Sequence, residues 1–119
     1  MSEIRLGAVE SKFADIIWNN EPLRPVELEK LAEAELNWKR TTTLTILKRL
    51  CERGFFQNKD RIITSLISRE EFYALQSEKF VNDTFEGSLP AFLTAFGSRK
   101  KLSDKEVEEL KKVIDSMRR

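Results

Sequence analysis

The residues best suited to chemistry in this chain lie together in the run Trp38-Lys39-Arg40-Thr41-Thr42-Thr43-Leu44-Thr45-Ile46-Leu47-Lys48-Arg49-Leu50. Threonine hydroxyls donate and accept hydrogen bonds, threonine methyls can meet the thymine methyl, and lysine and arginine bind phosphate. The run therefore suits a DNA major groove. Thr41, Thr42 and Thr45 are expected to contact bases or phosphates, and Lys39, Arg40, Lys48 and Arg49 to bind phosphates that position the segment. Three consecutive threonines are unfavourable in a helix because their χ1 is restricted, so some demand other than helix stability is implied. Charge points the same way. Between Asn37 and Arg61 seven basic residues stand against two acidic ones, in a chain whose formal net charge is only +1. A basic stripe on an otherwise acidic body is the electrostatic footprint of phosphate binding.

Other chemistry is poorly supplied. The sequence has no histidine and one cysteine, Cys51. General-base catalysis by imidazole and thiolate–imidazole metal sites are therefore excluded within one chain, and no metal or cofactor is expected. The four glycines are scattered and form no phosphate cradle. The adjacent carboxylates Glu70 and Glu71 lie about 100° apart on a helix and make a poor acid–base pair. The chain is read as a non-enzyme. Cys51 is expected on the inner side of its helix as a small apolar residue. A lone cysteine, no leader-like pattern in Met1–Arg5 and no apolar run of about 18 residues suggest a reducing cytoplasm and no membrane insertion.

The elements that must position the threonine run follow from periodicity. Val9, Phe13, Ile16 and Ile17 mark a first helix over about 7–20, with Trp18 covering its edge. Pro25 opens a second helix, whose buried face is expected to be Val26, Leu28, Leu31 and Ala32. A third helix spans about 40–53 with Leu44, Leu47 and Leu50 inward, and Gly54 is placed for a left-handed cap. Trp38 is read as packing the turn between the second and third helices. Phe55–Lys59 and Arg61–Leu66 then read as a short β-hairpin, with Lys59 and Arg61 near its tip reaching flanking backbone or minor groove. Three helices and a hairpin make a helix-turn-helix with a wing.

From Ser68 the pattern returns to helix, with capping boxes at Ser68/Glu71 and Ser103/Glu106. Phe72, Phe80, Phe85, Leu89, Phe92 and Phe96, followed by Leu110 and Ile114, are too apolar to lie solvated. They could pack back on the N-terminal core, but a partner subunit is the preferred cover. The expected fold is mainly α with a small β-hairpin: a winged helix-turn-helix over residues 1–67 and a helical dimerisation region over 68–119.

Ile17-Trp18 before Glu21-Pro22-Leu23, the run Thr41-Thr42-Thr43-Leu44-Thr45-Ile46-Leu47-Lys48-Arg49-Leu50, Arg53-Gly54, Phe85-x-Gly87-Ser88-Leu89 and Leu102-Ser103-x-x-Glu106-x-x-Glu109-Leu110 resemble, in order, the penicillinase-repressor family of bacterial transcriptional regulators. The resemblance implies a homodimeric repressor on a palindromic double-stranded operator, controlling β-lactam-resistance-type genes. It also implies a membrane metalloprotease sensor as partner and cleavage in the C-terminal helices, at a bond that falls on Ala95-Phe96. The C-terminal cysteine cluster of the copper-responsive branch is absent from this sequence. Lys39-Arg40 replaces a Ser-Pro or Ala-Tyr pair, and the wing is shorter than usual. The alternative is a winged helix used only as a protein–protein adaptor, which usually lacks such a basic stripe.

Overall fold

The computed structural model describes residues 6–118, so the leader reading taken from Met1–Arg5 lies outside them. The described chain forms α1 (Ala8–Asn20), α2 (Pro25–Leu36), α3 (Arg40–Glu52), β1 (Phe56–Lys59), β2 (Ile62–Ser65), α4 (Arg69–Phe85), α5 (Leu89–Arg99) and α6 (Asp104–Ser116). It is a mainly α, winged-helix fold. Two compact units are present, divided between Lys79 and Phe80, inside α4 rather than at its start.

The N-terminal unit has a closed core. Phe13, Ala14, Ile16 and Ile17 of α1 meet Leu28 and Ala32 of α2, Leu47 and Leu50 of α3, and Phe56 and Ile63 of the hairpin. Phe72 of α4 joins them with no exposed surface, its ring 5.0 Å from Phe55 and 5.7 Å from Trp18. Phe72, expected above among the dimerisation residues, thus lies in the core of the N-terminal unit rather than on an exposed face. Trp18 Nε1 donates to the Ile67 carbonyl at 3.0 Å, and Arg69 Nε to Asp15 Oδ1 at 2.8 Å, so the start of α4 is tied to α1.

Two expected core residues face outward instead. Val9 is 51% and Val26 55% exposed. Both stand in the first turn of their helices, where the chain enters from one edge of the core and the inward stripe has just begun.

The hairpin is antiparallel, with Phe56 opposite Ser65 and Lys59 opposite Ile62. Its turn uses Asp60 and Arg61 at φ 54° and 63°, the left-handed pair that a two-residue turn of matching twist requires, here without glycine. Leu23 pairs with Ile63 as a one-residue third strand, and the Ser65 N–H and hydroxyl both donate to the Glu21 carboxylate at 2.7–2.9 Å. These bonds hold the hairpin root against the loop between α1 and α2.

The C-terminal unit is built differently. Phe80, Phe85 and Phe92 form an edge-on ring cluster with centroids 5.6–6.1 Å apart, and Phe96 lies 6.3 Å from Phe92. No residue of α5 or α6 is buried.

Candidate nucleic-acid interface

Helix α3 is set by the turn before it. Asn37 takes a left-handed conformation at φ 57° and ends α2, and Trp38 stacks on Phe13 at 5.0 Å, which fixes where α3 starts. At its other end Arg53 and Gly54 complete a Schellman cap. Gly54 N–H donates to the Cys51 carbonyl, Phe55 N–H reaches back to Leu50, and Gly54 stands at φ +86°.

The inward stripe of α3 is Thr43, Leu47 and Leu50, with Leu44 only half-buried. The expected stripe led with Leu44. Thr43 takes that place because its hydroxyl donates to the Lys39 carbonyl at 3.1 Å, so its methyl can enter the core with no polar group left unpaired. This explains one of the three consecutive threonines by packing alone.

The other face is free. Thr41, Thr42, Thr45, Lys48 and Arg49 are exposed, as are Lys39 and Arg40 at the helix start. Arg40, Thr41, Leu44, Thr45 and Lys48 line a shallow open depression of about 300 Å³. The helix thus presents short hydroxyl side chains flanked by long cations, the arrangement that lets a helix approach base edges while its charges reach phosphates. Lys59 and Arg61 are exposed at the hairpin tip, where the left-handed turn puts them. All nine expected contact residues therefore lie on the surface of one unit.

Long-range pairs are what the sequence reading missed. Arg40 Nε lies 3.1 Å from Glu29 Oε1 of α2, and nothing in the local pattern marks that pairing. Cys51 is half-buried against the core, and burial together with the Glu52 charge pushes its thiol pKa up. Among the described residues no three His, Cys, Asp or Glu gather where they could hold a metal ion, and no described helix is long and apolar enough to cross a membrane.

Of the dimerisation set, Phe80, Leu89, Phe96 and Ile114 are 40–50% exposed. Phe85, Phe92 and Leu110 are half-buried within their own unit. Ala95 and Phe96 lie inside α5 and are both exposed.

Three helices, an exposed Thr/Lys/Arg face on the third and a hairpin after it define a winged helix-turn-helix of the DNA-binding class. The profile of the penicillinase repressor family matches residues 6–116. The chain belongs to that family, a group of transcriptional repressors. Relatives include a methicillin resistance regulatory protein of Staphylococcus aureus strain Mu50, 24% identical over 114 residues, which cover 92% of this chain and 93% of the relative. The penicillinase repressor of Bacillus licheniformis is 22% identical over 115 residues, 93% of this chain and 90% of that protein.

Proposed function

We propose that this protein is a dimeric, sequence-specific transcriptional repressor that acts in the cytoplasm on an inverted-repeat operator, its half-sites about one helical turn, roughly 34–36 Å, apart. The observation that carries the reading is the division of α3. Thr43, Leu47 and Leu50 are committed to the core, which leaves Thr41, Thr42, Thr45, Lys48 and Arg49 outward with no packing role. Thr42 and Thr45 contact bases, and the flanking cations, with Lys59 and Arg61 of the wing, hold phosphates.

Dimerisation is assigned to the C-terminal unit, whose apolar side chains stay exposed in a single chain. The names of the relatives favour β-lactam-resistance-type genes as targets. The family resemblance supplies a membrane metalloprotease sensor as the inactivating partner. The Ala95–Phe96 bond stands in the middle of α5, so a protease must first unwind that helix. Exposure of both residues favours access once it opens.

The test is selection from random duplex DNA by the purified protein at two salt concentrations. An enriched inverted repeat, bound by a dimer with an affinity that falls steeply with salt, is the expected result. Weak, unselective binding would replace the repressor reading with that of an adaptor.

A further inference from the structure

Leu44 is the apolar residue of α3 that the core does not use. Leu47 and Leu50 are buried in the core, and Ile46 and Cys51 pack against it. Leu44 is half-buried and, among the described residues, belongs to neither group. It lines the outward depression instead, together with Arg40, Thr41, Thr45 and Lys48.

Helical spacing orders these side chains. Arg40, Leu44 and Lys48 follow one another at intervals of four, so they form one row along the helix with Leu44 in the middle. Thr41 and Thr45 form the row beside it. The depression thus has a cation at each end and, between them, a leucine next to two threonine methyls. On most surfaces a single half-exposed leucine needs no explanation. Here it occupies the centre of the face that α3 offers to base edges. In a major groove, cations at the ends of such a row reach phosphates while its middle meets the bases. The base edges there carry hydrogen-bond donors and acceptors, and their apolar group is the thymine 5-methyl. A leucine has nothing to exchange with the polar edges, but it shields a methyl from water.

We propose that Leu44, with the Thr41 and Thr45 methyls beside it, receives the 5-methyl group of one thymine in each half-site and so helps to determine the operator sequence. The inference rests on the repressor reading above and deepens it, because base contact was there assigned to Thr42 and Thr45 alone.

The experiment uses the full chain, its selected operator, and operators in which each thymine in turn is replaced by deoxyuridine in both half-sites. That replacement removes the methyl and leaves every hydrogen-bonding group in place. At one thymine position the unaltered protein is expected to lose about 3- to 5-fold per half-site, hence roughly 10- to 25-fold for the pair. Leu44→Ala should weaken the thymine operator and bring the thymine-to-deoxyuridine ratio at that position close to one. Its binding to random duplex and its salt slope should not change, because no charge is lost. Thermal melting should be nearly unchanged, because Leu44 lies outside the core. The proposal is overturned if the selected half-site holds no thymine, or if no deoxyuridine operator binds more weakly. It is equally overturned if Leu44→Ala keeps the full ratio, which would leave methyl reading to the threonines. If the unaltered protein selects no sequence at all, the repressor reading itself fails and takes this inference with it.

Discussion

The two units of the chain use aromatic residues to opposite ends. Before Lys79, Phe13, Phe56 and Phe72 are sealed in a core to which four helices and a hairpin all contribute. After it, Phe80, Phe85, Phe92 and Phe96 touch one another, yet Phe80 remains 50% and Phe96 45% exposed. Below roughly 40 residues a segment rarely closes a core alone, because too much of its surface stays in contact with water. The first unit is a finished structure, and the second leaves its apolar side chains partly in water. Those exposed side chains are the physical argument behind the proposed second copy, and the closed core lets α3 keep its outward face.

The contrast can be broken most severely in the second unit. Ile114→Asp places a charge on α6 at a position 46% exposed in the single chain. Analytical ultracentrifugation should find a monomer. Affinity for the full operator should fall by roughly 10²–10⁴-fold as the linkage of two half-sites is lost, while a single half-site binds as before. A variant that remained dimeric with full affinity would remove the dimer assignment.

Phe72→Ala tests the boundary between the units. If Phe72 belongs to the N-terminal core, denaturant unfolding of that unit should lose about 3–5 kcal/mol. If it belongs instead to the dimer contact, the stability of the N-terminal unit would hold and only the association constant would drop.

A smaller effect is expected on the DNA face. Thr45→Ala and Arg49→Ala should each weaken operator binding by about 1–3 kcal/mol at most, the Thr45 change altering base preference and the Arg49 change weakening all sequences and reducing the salt slope. Neither should shift the sedimentation of the free protein. An Arg49→Ala protein with unchanged affinity at low salt would take that cation out of the interface.

The smallest effect belongs to the cap of α6. Ser103 Oγ accepts from the Glu106 N–H at 3.2 Å, and the Ser103 N–H donates to the Glu106 carboxylate at 3.1 Å. The Ser103 N–H and hydroxyl hold the Glu106 carboxyl below its usual range. A depressed carboxyl stabilises the fold above its unfolded-state pKa, and that contribution fades as pH falls through the lower folded value. Helicity of α6 should therefore loosen on acidification in circular dichroism, and Glu106→Gln should remove that part of the pH dependence. Ser103→Ala should cost about 1 kcal/mol at neutral pH.

Much of this architecture was legible in the residues because its causes are local. Gly54 after a basic helix end and Ser103 three residues before Glu106 satisfy backbone groups within a few positions, and Pro25 at a helix start brings no N–H in need of a partner, so their meaning does not depend on the rest of the fold. The outward face of α3 was legible too, since exposed threonines and cations follow from helical spacing. What escaped was direction within an apolar stripe. Val9 and Val26 have the right spacing but lie at helix starts beyond the reach of the core, and Thr43 displaces Leu44 because a hydrogen bond to Lys39 lets a threonine be buried.

By itself the sequence determined which segments are helix or hairpin, and which short run carries hydrogen-bonding and basic groups together. Only the tertiary structure decided that Phe72 seals the N-terminal core, that Glu21 ties down the hairpin through Ser65, and that Glu29 of α2 stands beside Arg40. The last two join residues 44 and 11 positions apart, and Phe72 meets Trp18 across 54. Such pairings arise from the way helices pack in space. Periodicity records which face of a helix is apolar, and it carries no information about which distant residue will stand opposite.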